Sequence, residues 1–76
     1  MKTLFIVNPV AGRNNSLKIW NEIKTKITIP YESVLTKTPG DAIKIAAKAV
    51  SEGFTRVVAV GGDGTVSEVV NGIAGT

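Results

Sequence analysis

The stretch VVAVGGDGTVSEVVNG, from Val57 to Gly72, decides the fold because its periodicity changes part-way along. It begins with a short apolar run of β-branched residues, which is typical of a strand buried on both faces of a sheet. Three glycines around Asp63 interrupt that run. Apolar residues then return at the spacing of one helical face, at Val66, Val69, Val70 and Ile73. The stretch therefore predicts a strand, a glycine loop and a helix in direct succession.

The same order of strand, polar loop and helix occurs twice before this stretch. The segment TLFIV, Thr3–Val7, predicts a first buried strand, and RVVAV, Arg56–Val60, predicts the strand of the quoted stretch. The segment YESVLT, Tyr31–Thr36, contains polar residues and predicts a weaker strand at a sheet edge. The order of elements is therefore βαβαβα.

Capping residues and a proline delimit the first helix. Five positions recur at spacings of three and four and so fall on one face of this helix: Leu17, Trp20, Ile23, Lys24 and Ile27. Either Asn15 or Ser16 is expected to cap its start. Pro30 ends the segment, because a proline disfavours helical conformation in the residue before it.

The two later helices carry sharper boundary signals. Thr38 is expected to cap the second helix, with Pro39 at its first position and Gly53 as its left-handed stop. Its apolar stripe is expected at Ile43, Ala46, Ala47 and Val50. Thr65 and Glu68 form a T-x-x-E capping box for the third helix, worth roughly 1 kcal/mol.

This order of elements predicts a three-layer α/β fold, a parallel sheet covered by helices. Right-handed crossovers favour the strand order 2-1-3. The loops NPVAGR and GGDGT would then lie side by side at the carboxyl ends of neighbouring strands. Ligands bind at that edge of open α/β sheets, so a site is expected there.

Composition bounds the chemistry of this single small domain. The chain has 76 residues, a net charge of +3, no cysteine and no histidine, so thiolate or imidazole chemistry is excluded. Aromatic residues make up only 5% and no basic stripe occurs, which argues against nucleic acid as a partner. No apolar segment approaches the length of a membrane span, and a cytoplasmic location is expected.

The glycine loop has the parts of an anion site. The amino end of a helix leaves about four N–H groups unpaired, and glycines let a phosphate approach them closely. Asp63 does not suit a bare phosphate, so it needs a bridging Mg²⁺, a hydroxyl or a proton to accept. The alternative is a simple turn in which Asp63 serves only turn and cap chemistry. The dinucleotide and Walker fingerprints both fail, since Ser67 replaces the last glycine of the first and the lysine of the second is missing.

Taken together, NPVAG, TKTPGDA and GGDGTVSEVVNG, each after one strand, resemble the amino-terminal part of the diacylglycerol kinase catalytic domain family. The resemblance runs from Lys2 to Ala74. It implies a phosphofructokinase-like or NAD kinase-like nucleotide-binding domain that uses ATP and Mg²⁺ to phosphorylate a lipid hydroxyl such as that of diacylglycerol. At position 67 this chain has a serine, where many members of that family have an asparagine.

The resemblance also implies roles for individual residues. Asp63 would be catalytic or close to the reacting centre, and no residue of this chain is assigned as a metal ligand. The residues implied in nucleotide binding are Asn8, Pro9, Gly12, Thr36, Gly62, Asp63, Gly64, Thr65 and Glu68.

Relatives of this kind are longer than this chain, so residues 1–76 are expected to be the amino-terminal part of the kinase domain. A second, β-rich domain would carry the lipid pocket, the Mg²⁺ ligands and the peripheral contact with the membrane. Unpaired sheet edges favour association into a homo-oligomer.

Two other functions remain open at this point. NAD kinase relatives share GGDGT, although the NPVAG loop and the SEVVNG continuation count against them. A nucleotide-binding module without catalysis is the third possibility.

Overall fold

The computed structural model describes residues 2–11 and 15–74. The elements follow the predicted order. They are β1 (Thr3–Val7), α1 (Ser16–Ile23), a 3-10 turn (Lys24–Lys26), β2 (Glu32–Leu35), α2 (Asp41–Ser51), β3 (Arg56–Val60) and α3 (Asp63–Ala74). None of the helices within these described residues is long and apolar enough to cross a membrane.

The three strands form one parallel sheet in the order β2-β1-β3, which confirms the predicted topology. Leu4 of β1 is in register with Glu32 on one side and Val57 on the other. All five residues of β1 are buried, as expected for a central strand. The prediction that β3 is equally buried is wrong, because β3 is an edge strand and its residues 57–60 are only half-buried.

Helices cover both faces of this sheet and form two apolar cores. On one face Phe5 and Val7 pack with Trp20 of α1, and Tyr31 completes the aromatic cluster. On the other face the alternate residues of β1 pack under α2 and α3; this core consists of Leu4, Ile6, Ala42, Ala46, Ala49 and Val69. The three-layer α/β prediction is therefore confirmed.

The first helix is shorter than its apolar pattern predicts. It ends at Ile23 and tightens into the 3-10 turn before Ile27 takes an extended conformation. The predicted side-chain cap is also wrong. Asn15 lies in the helical region without a cap hydrogen bond, and the Ser16 hydroxyl donates to the carbonyl of Ala11 at 3.1 Å.

The second helix begins two residues later than predicted. Gly40, with φ of 89°, precedes its first residue Asp41, so Thr38 and Pro39 lie in the preceding turn. The predicted stop is confirmed, since Gly53 has φ of 88°. The predicted stripe is rotated: the buried residues are Ala42, Ala46 and Ala49, whereas Ile43 and Val50 are exposed.

The third helix begins earlier than predicted, and its buried face also differs from the prediction. It begins at Asp63, so Thr65 lies inside the first turn and no capping box with Glu68 forms. The buried residues are Thr65, Val69 and Gly72, while Val66, Val70 and Ile73 are exposed. The cause is the contact with α2, because a Cβ added at Gly72 would clash with the carbonyl oxygen of Ile43 and lie 2.9 Å from the Ala46 Cβ. The small residues face the neighbouring helix, and the larger ones turn outward.

Candidate functional site

A cleft opens at the carboxyl edge of the sheet, where the loops after β1 and β2 meet α3. Its cavity has a volume of about 300 Å³. Five of the predicted nucleotide-binding residues line it: Asn8, Pro9, Thr36, Thr65 and Glu68. Residues 62–64 do not line the cavity itself and form the amino end of α3 beside Thr65. Gly12 lies outside the described residues.

Asn8 links the first loop to the third. Its backbone N–H donates to the carbonyl of Val60 at 2.9 Å, which fixes it at the end of the sheet. Its side-chain oxygen accepts from the N–H of Val10 at 3.2 Å, and its Nδ2 donates to Thr65 Oγ1 at 3.2 Å. An asparagine suits this position because its amide offers a donor and an acceptor at once. The bond to Thr65 joins two loops that lie 57 positions apart in the chain.

Thr65 is 4% exposed and is held closely by the backbone before it. A Cβ added at Gly61 would lie 2.5 Å from Thr65 Oγ1 and 2.8 Å from Thr65 Cβ. Gly61 therefore has to be a glycine for the first turn of α3 to approach the strand end this closely. The Thr65 hydroxyl accepts from Asn8 and does not cap the helix as predicted.

The amino end of α3 offers donors to a ligand. Within the described part of the chain, no carbonyl or side chain accepts from the amides of Gly62, Asp63 and Gly64, whereas those of Thr65 and Val66 both donate to the Gly62 carbonyl. A Cβ at Gly62 or Gly64 would meet nothing within 4 Å, so side chains at these two positions would have room. The Asp63 side chain is exposed at the same turn. Unpaired amides at a helix start favour an anion there.

The wall opposite α3 comes from the residues after β2. Thr36 is 9% exposed, and its N–H donates to the carbonyl of Val7 at 2.8 Å. Its hydroxyl makes no hydrogen bond to the described residues, so it is available to a ligand in the cavity.

Asp41 and Lys37 belong to this wall and were not predicted as site residues. The sequence predicts for Asp41 only a favourable place in the first turn of a helix. In the structure its Oδ2 accepts from the amides of Lys37 and Thr38 at 2.8 and 2.9 Å, and its Oδ1 accepts from the Thr38 hydroxyl at 2.9 Å. These bonds, that of the Lys37 amide foremost, lower the pKa of Asp41 below its ordinary value. The signal that could have found this contact is T-P-G-D, a turn that returns an aspartate to the amides three and four residues before it.

The charges of the cleft are few. Lys37 and Glu68 are the charged residues that line the cavity within the described part of the chain. The same part holds no group of three acidic residues that could by itself bind a metal ion. Mg²⁺ is commonly bound by one or two carboxylates together with substrate phosphates. Glu68 is the carboxylate that lines the cavity, and Asp63 is exposed at the start of the same helix.

Comparison with known proteins identifies the family of this chain. The family model described as "Diacylglycerol kinase catalytic domain" matches residues 2–76. The chain belongs to this family. The resemblance carried by the three loop motifs is thereby confirmed, and so is the NAD kinase-like type of α/β fold.

Relatives within the family carry names of the same kind. "Putative lipid kinase YtlR" of Bacillus subtilis strain 168 is 38% identical over 76 residues, covering 91% of this chain and 24% of that protein. "Diacylglycerol kinase" of the same strain is 39% identical over 72 residues, covering 91% of this chain and 24% of that protein. The chain thus spans about a quarter of the length of these curated relatives.

A solved structure shares the fold closely. The structure titled "A putative diacylglycerol kinase from Bacillus anthracis str. Sterne" superposes with a TM-score of 0.81 at 32% identity. The match covers 99% of this chain and 28% of that one. The whole described architecture is therefore a recurring part of a longer kinase fold.

Proposed function

We propose that this chain is the ATP-binding part of a kinase that transfers the γ-phosphoryl group of ATP to a lipid hydroxyl such as that of diacylglycerol. The observation that carries the proposal is the meeting of three loops at one cleft. There Asn8, Thr36 and Thr65 lie beside the unpaired amides of α3. Family membership supports the reaction class.

Phosphoryl transfer depends on positioning and on neutralising negative charge more than on covalent chemistry of the protein. In this proposal the amides of Gly62 and Gly64 bind phosphate oxygens at the helix start. The free Thr36 hydroxyl and the Lys37 ammonium bind the nucleotide from the opposite wall. Asn8 holds the loop after β1 against the first turn of α3 through its bond to Thr65.

Asp63 is proposed to act on the reaction itself. Asp63 is an exposed carboxylate at the turn whose amides are proposed to bind phosphate. Its negative charge would repel a phosphate there, so we propose that it has a role in the reaction. It can orient the acceptor hydroxyl, accept its proton or hold the Mg²⁺ that accompanies ATP. When bound, that ion supplies charge neutralisation for the transferring group.

The lipid acceptor, the contact with a membrane and a second, β-rich domain belong to the same proposal. The reaction needs an acceptor pocket in addition to the nucleotide cleft described here. We propose that a second domain of the longer protein supplies this acceptor pocket. In this proposal the enzyme lies in the cytoplasm and contacts the membrane surface through that domain when it acts on lipid.

The test is an assay of the complete gene product that contains this chain. Transfer of labelled γ-phosphate from ATP–Mg²⁺ to diacylglycerol in mixed micelles is measured for the wild type, for Asp63→Asn and for Glu52→Gln. Asp63→Asn is expected to lower kcat by about a hundredfold or more while the melting temperature stays close to that of the wild type. Glu52→Gln loses the same unit of charge at the opposite edge of the sheet, beside Lys2, and is expected to retain full activity.

Two results would count against the proposal. Wild-type turnover by Asp63→Asn would remove the proposed role of this carboxylate. Phosphorylation of NAD in place of any lipid alcohol would overturn the acceptor class.

A further inference from the structure

The wall of the cleft formed by residues 36–41 is bonded to the central strand at its start and closes on itself at its end. At its start the Thr36 N–H donates to Val7 of the central strand at 2.8 Å. At its end the Asp41 N–H donates to the carbonyl of Thr38 at 3.2 Å. Gly40, with φ of 89°, reverses the chain between these points, a conformation that glycine adopts without strain. The reversal brings the Asp41 carboxylate back to the wall.

The carboxylate fills the inside of this reversal. It accepts three donors from two residues, the amides of Lys37 and Thr38 and the hydroxyl of Thr38, all at 2.8 to 2.9 Å. An ionised carboxylate suits this because it is acceptor-only, whereas an amide side chain turns one of its two polar atoms into a donor. Charge-assisted bonds of this length are among the stronger hydrogen bonds in proteins.

The two residues bonded to Asp41, Lys37 and Thr38, directly follow Thr36, whose own N–H is bonded to Val7. Thr36, Lys37 and Thr38 all line the cavity, with an unpaired hydroxyl and an ammonium among them. The side chain of Asp41 does not itself line the cavity. Its effect on a ligand must therefore pass through the wall.

We propose that Asp41 is a positioning residue for nucleotide binding: it fixes the wall 36–38 so that the Thr36 hydroxyl and the Lys37 ammonium meet an anionic phosphate of the nucleotide. This inference rests on the proposed function and assigns a role that the loop motif alone does not. The pKa of Asp41 lies below its ordinary value, so the carboxylate keeps its charge throughout the pH range of a kinase assay.

The test compares Asp41→Ala, Asp41→Asn and Thr38→Val in the complete gene product, with Glu52→Gln as the charge control. A mutation that displaces a bound substrate by about 1 Å can lower the reaction rate by up to about a hundredfold. We expect the KM for ATP to rise about tenfold in Asp41→Ala and less in Asp41→Asn, with kcat within about twofold of the wild type. Thr38→Val removes a single donor and is expected to raise KM about twofold.

A purely structural role would give a different result. It would lower the melting temperature and the fraction of active enzyme, and so the apparent kcat, while the KM for ATP stayed constant. A constant KM in folded Asp41→Asn would overturn the inference. Should both Asp41 variants fail to fold, a constant KM in Thr38→Val would overturn it instead.

Amide hydrogen exchange separates this inference from the proposed function. Exchange at Lys37 and Thr38 is expected to accelerate at least about tenfold in Asp41→Asn relative to the wild type, because two of the three lost or weakened bonds belong to these amides. Unchanged exchange overturns the positioning role whatever the reaction is. If exchange is accelerated in Asp41→Asn but the wild-type protein transfers no phosphate, the result counts against the proposed function alone.

Discussion

At the scale of single residues, two glycines of the same loop have opposite requirements. Gly61 has no room for a side chain, because a Cβ there would lie 2.5 Å from Thr65 Oγ1 and 2.8 Å from its Cβ. Gly64 has open space around it and lies inside α3, where glycine costs conformational entropy. Packing therefore requires a glycine at position 61 but not at position 64.

This difference gives a prediction with an internal control. Gly61→Ala is expected to destabilise the fold by about 1–3 kcal/mol, since the first turn of α3 must shift. Gly64→Ala is expected to stabilise it by about 0.5–1 kcal/mol. Thermal unfolding of the two variants, followed by the fluorescence of buried Trp20, measures both effects. Equal melting temperatures would show that the contact of Gly61 with Thr65 does not constrain the helix.

The same pair separates folding from binding. Under the proposed function, Gly64→Ala places a methyl group where a phosphate approaches the helix start, so the KM for ATP should rise although the fold is more stable. An unchanged KM in this variant would place the phosphate elsewhere in the cleft.

The residues of the cleft were predictable to the extent that motifs mark them. Asn8, Thr36 and Thr65 each follow a strand in a recognisable pattern, and the strand order brings them together. Asp41 and Lys37 were not predictable as site residues. Their placement depends on the left-handed conformation of a glycine and on the direction of a turn, which a linear pattern does not specify.

At the scale of elements, Asp41 also links loop geometry to acid stability. Its pKa is lower than the ordinary value of 3.8, with the amide of Lys37 the largest cause and the Lys44 charge a minor one. A lowered pKa means that the folded chain binds this proton less readily than the unfolded chain. The stabilisation is complete above the ordinary value and is lost as the pH falls through the lower, folded value.

Stability against pH therefore tests this contact. The difference in melting temperature between the wild type and Asp41→Asn should be greater at about pH 6 than at about pH 3, because acid removes the advantage of the wild type. Glu22→Gln on the exposed face of α1 is the matched control, for which a much smaller dependence is expected. A constant difference for Asp41→Asn across this range would show that the charge of the carboxylate is not what holds the turn.

The contact between α2 and α3 gives a second prediction at this scale. A methyl group at Gly72 would clash with the carbonyl oxygen of Ile43 and lie 2.9 Å from the Ala46 Cβ, and neither partner can rotate away. Gly72→Ala is expected to cost about 1–3 kcal/mol by forcing the helices apart, although alanine favours helix intrinsically. Ser67→Ala, an exposed change on the same helix, should leave the melting temperature nearly unchanged. A stabilised Gly72→Ala would show that helix propensity outweighs this contact.

This contact also explains why the helices were predicted correctly and their buried faces were not. Hydrophobic periodicity gives most weight to large side chains, so it selected Ile43 and Val66 as core residues. The helices approach closely because Gly72 of α3 meets Ala46 and the backbone of α2, and such small residues add little to an apolar pattern. Strand order was easier to predict. It follows from the continuous apolar runs and from the handedness of the crossovers, and neither requires knowing which face of a helix is buried.

At the scale of the whole molecule, the outward turn of these helices leaves apolar side chains on the surface. Val66, Val70 and Ile73 of α3 are 47%, 57% and 39% exposed. Their spacing places them along one side of the helix, with buried Val69 at the border of this stripe. Both β2 and β3 are also edge strands of the described sheet. Apolar stripes and open strand edges both favour association of a chain with copies of itself.

We therefore expect the 76-residue chain alone to associate as its concentration rises, with the α3 stripe as a main contact. Light scattering after size-exclusion chromatography, over a wide range of concentrations, should show the apparent mass increasing. Val70→Lys places a charge in the middle of the stripe and should move this increase to at least about tenfold higher concentration, since burying an unpaired charge is costly. Asn71→Lys adds the same charge to the same helix outside the stripe and should leave the association unchanged. If both variants behave alike, net charge governs association, and if neither has an effect, the strand edges remain as the surfaces through which copies of the chain pair.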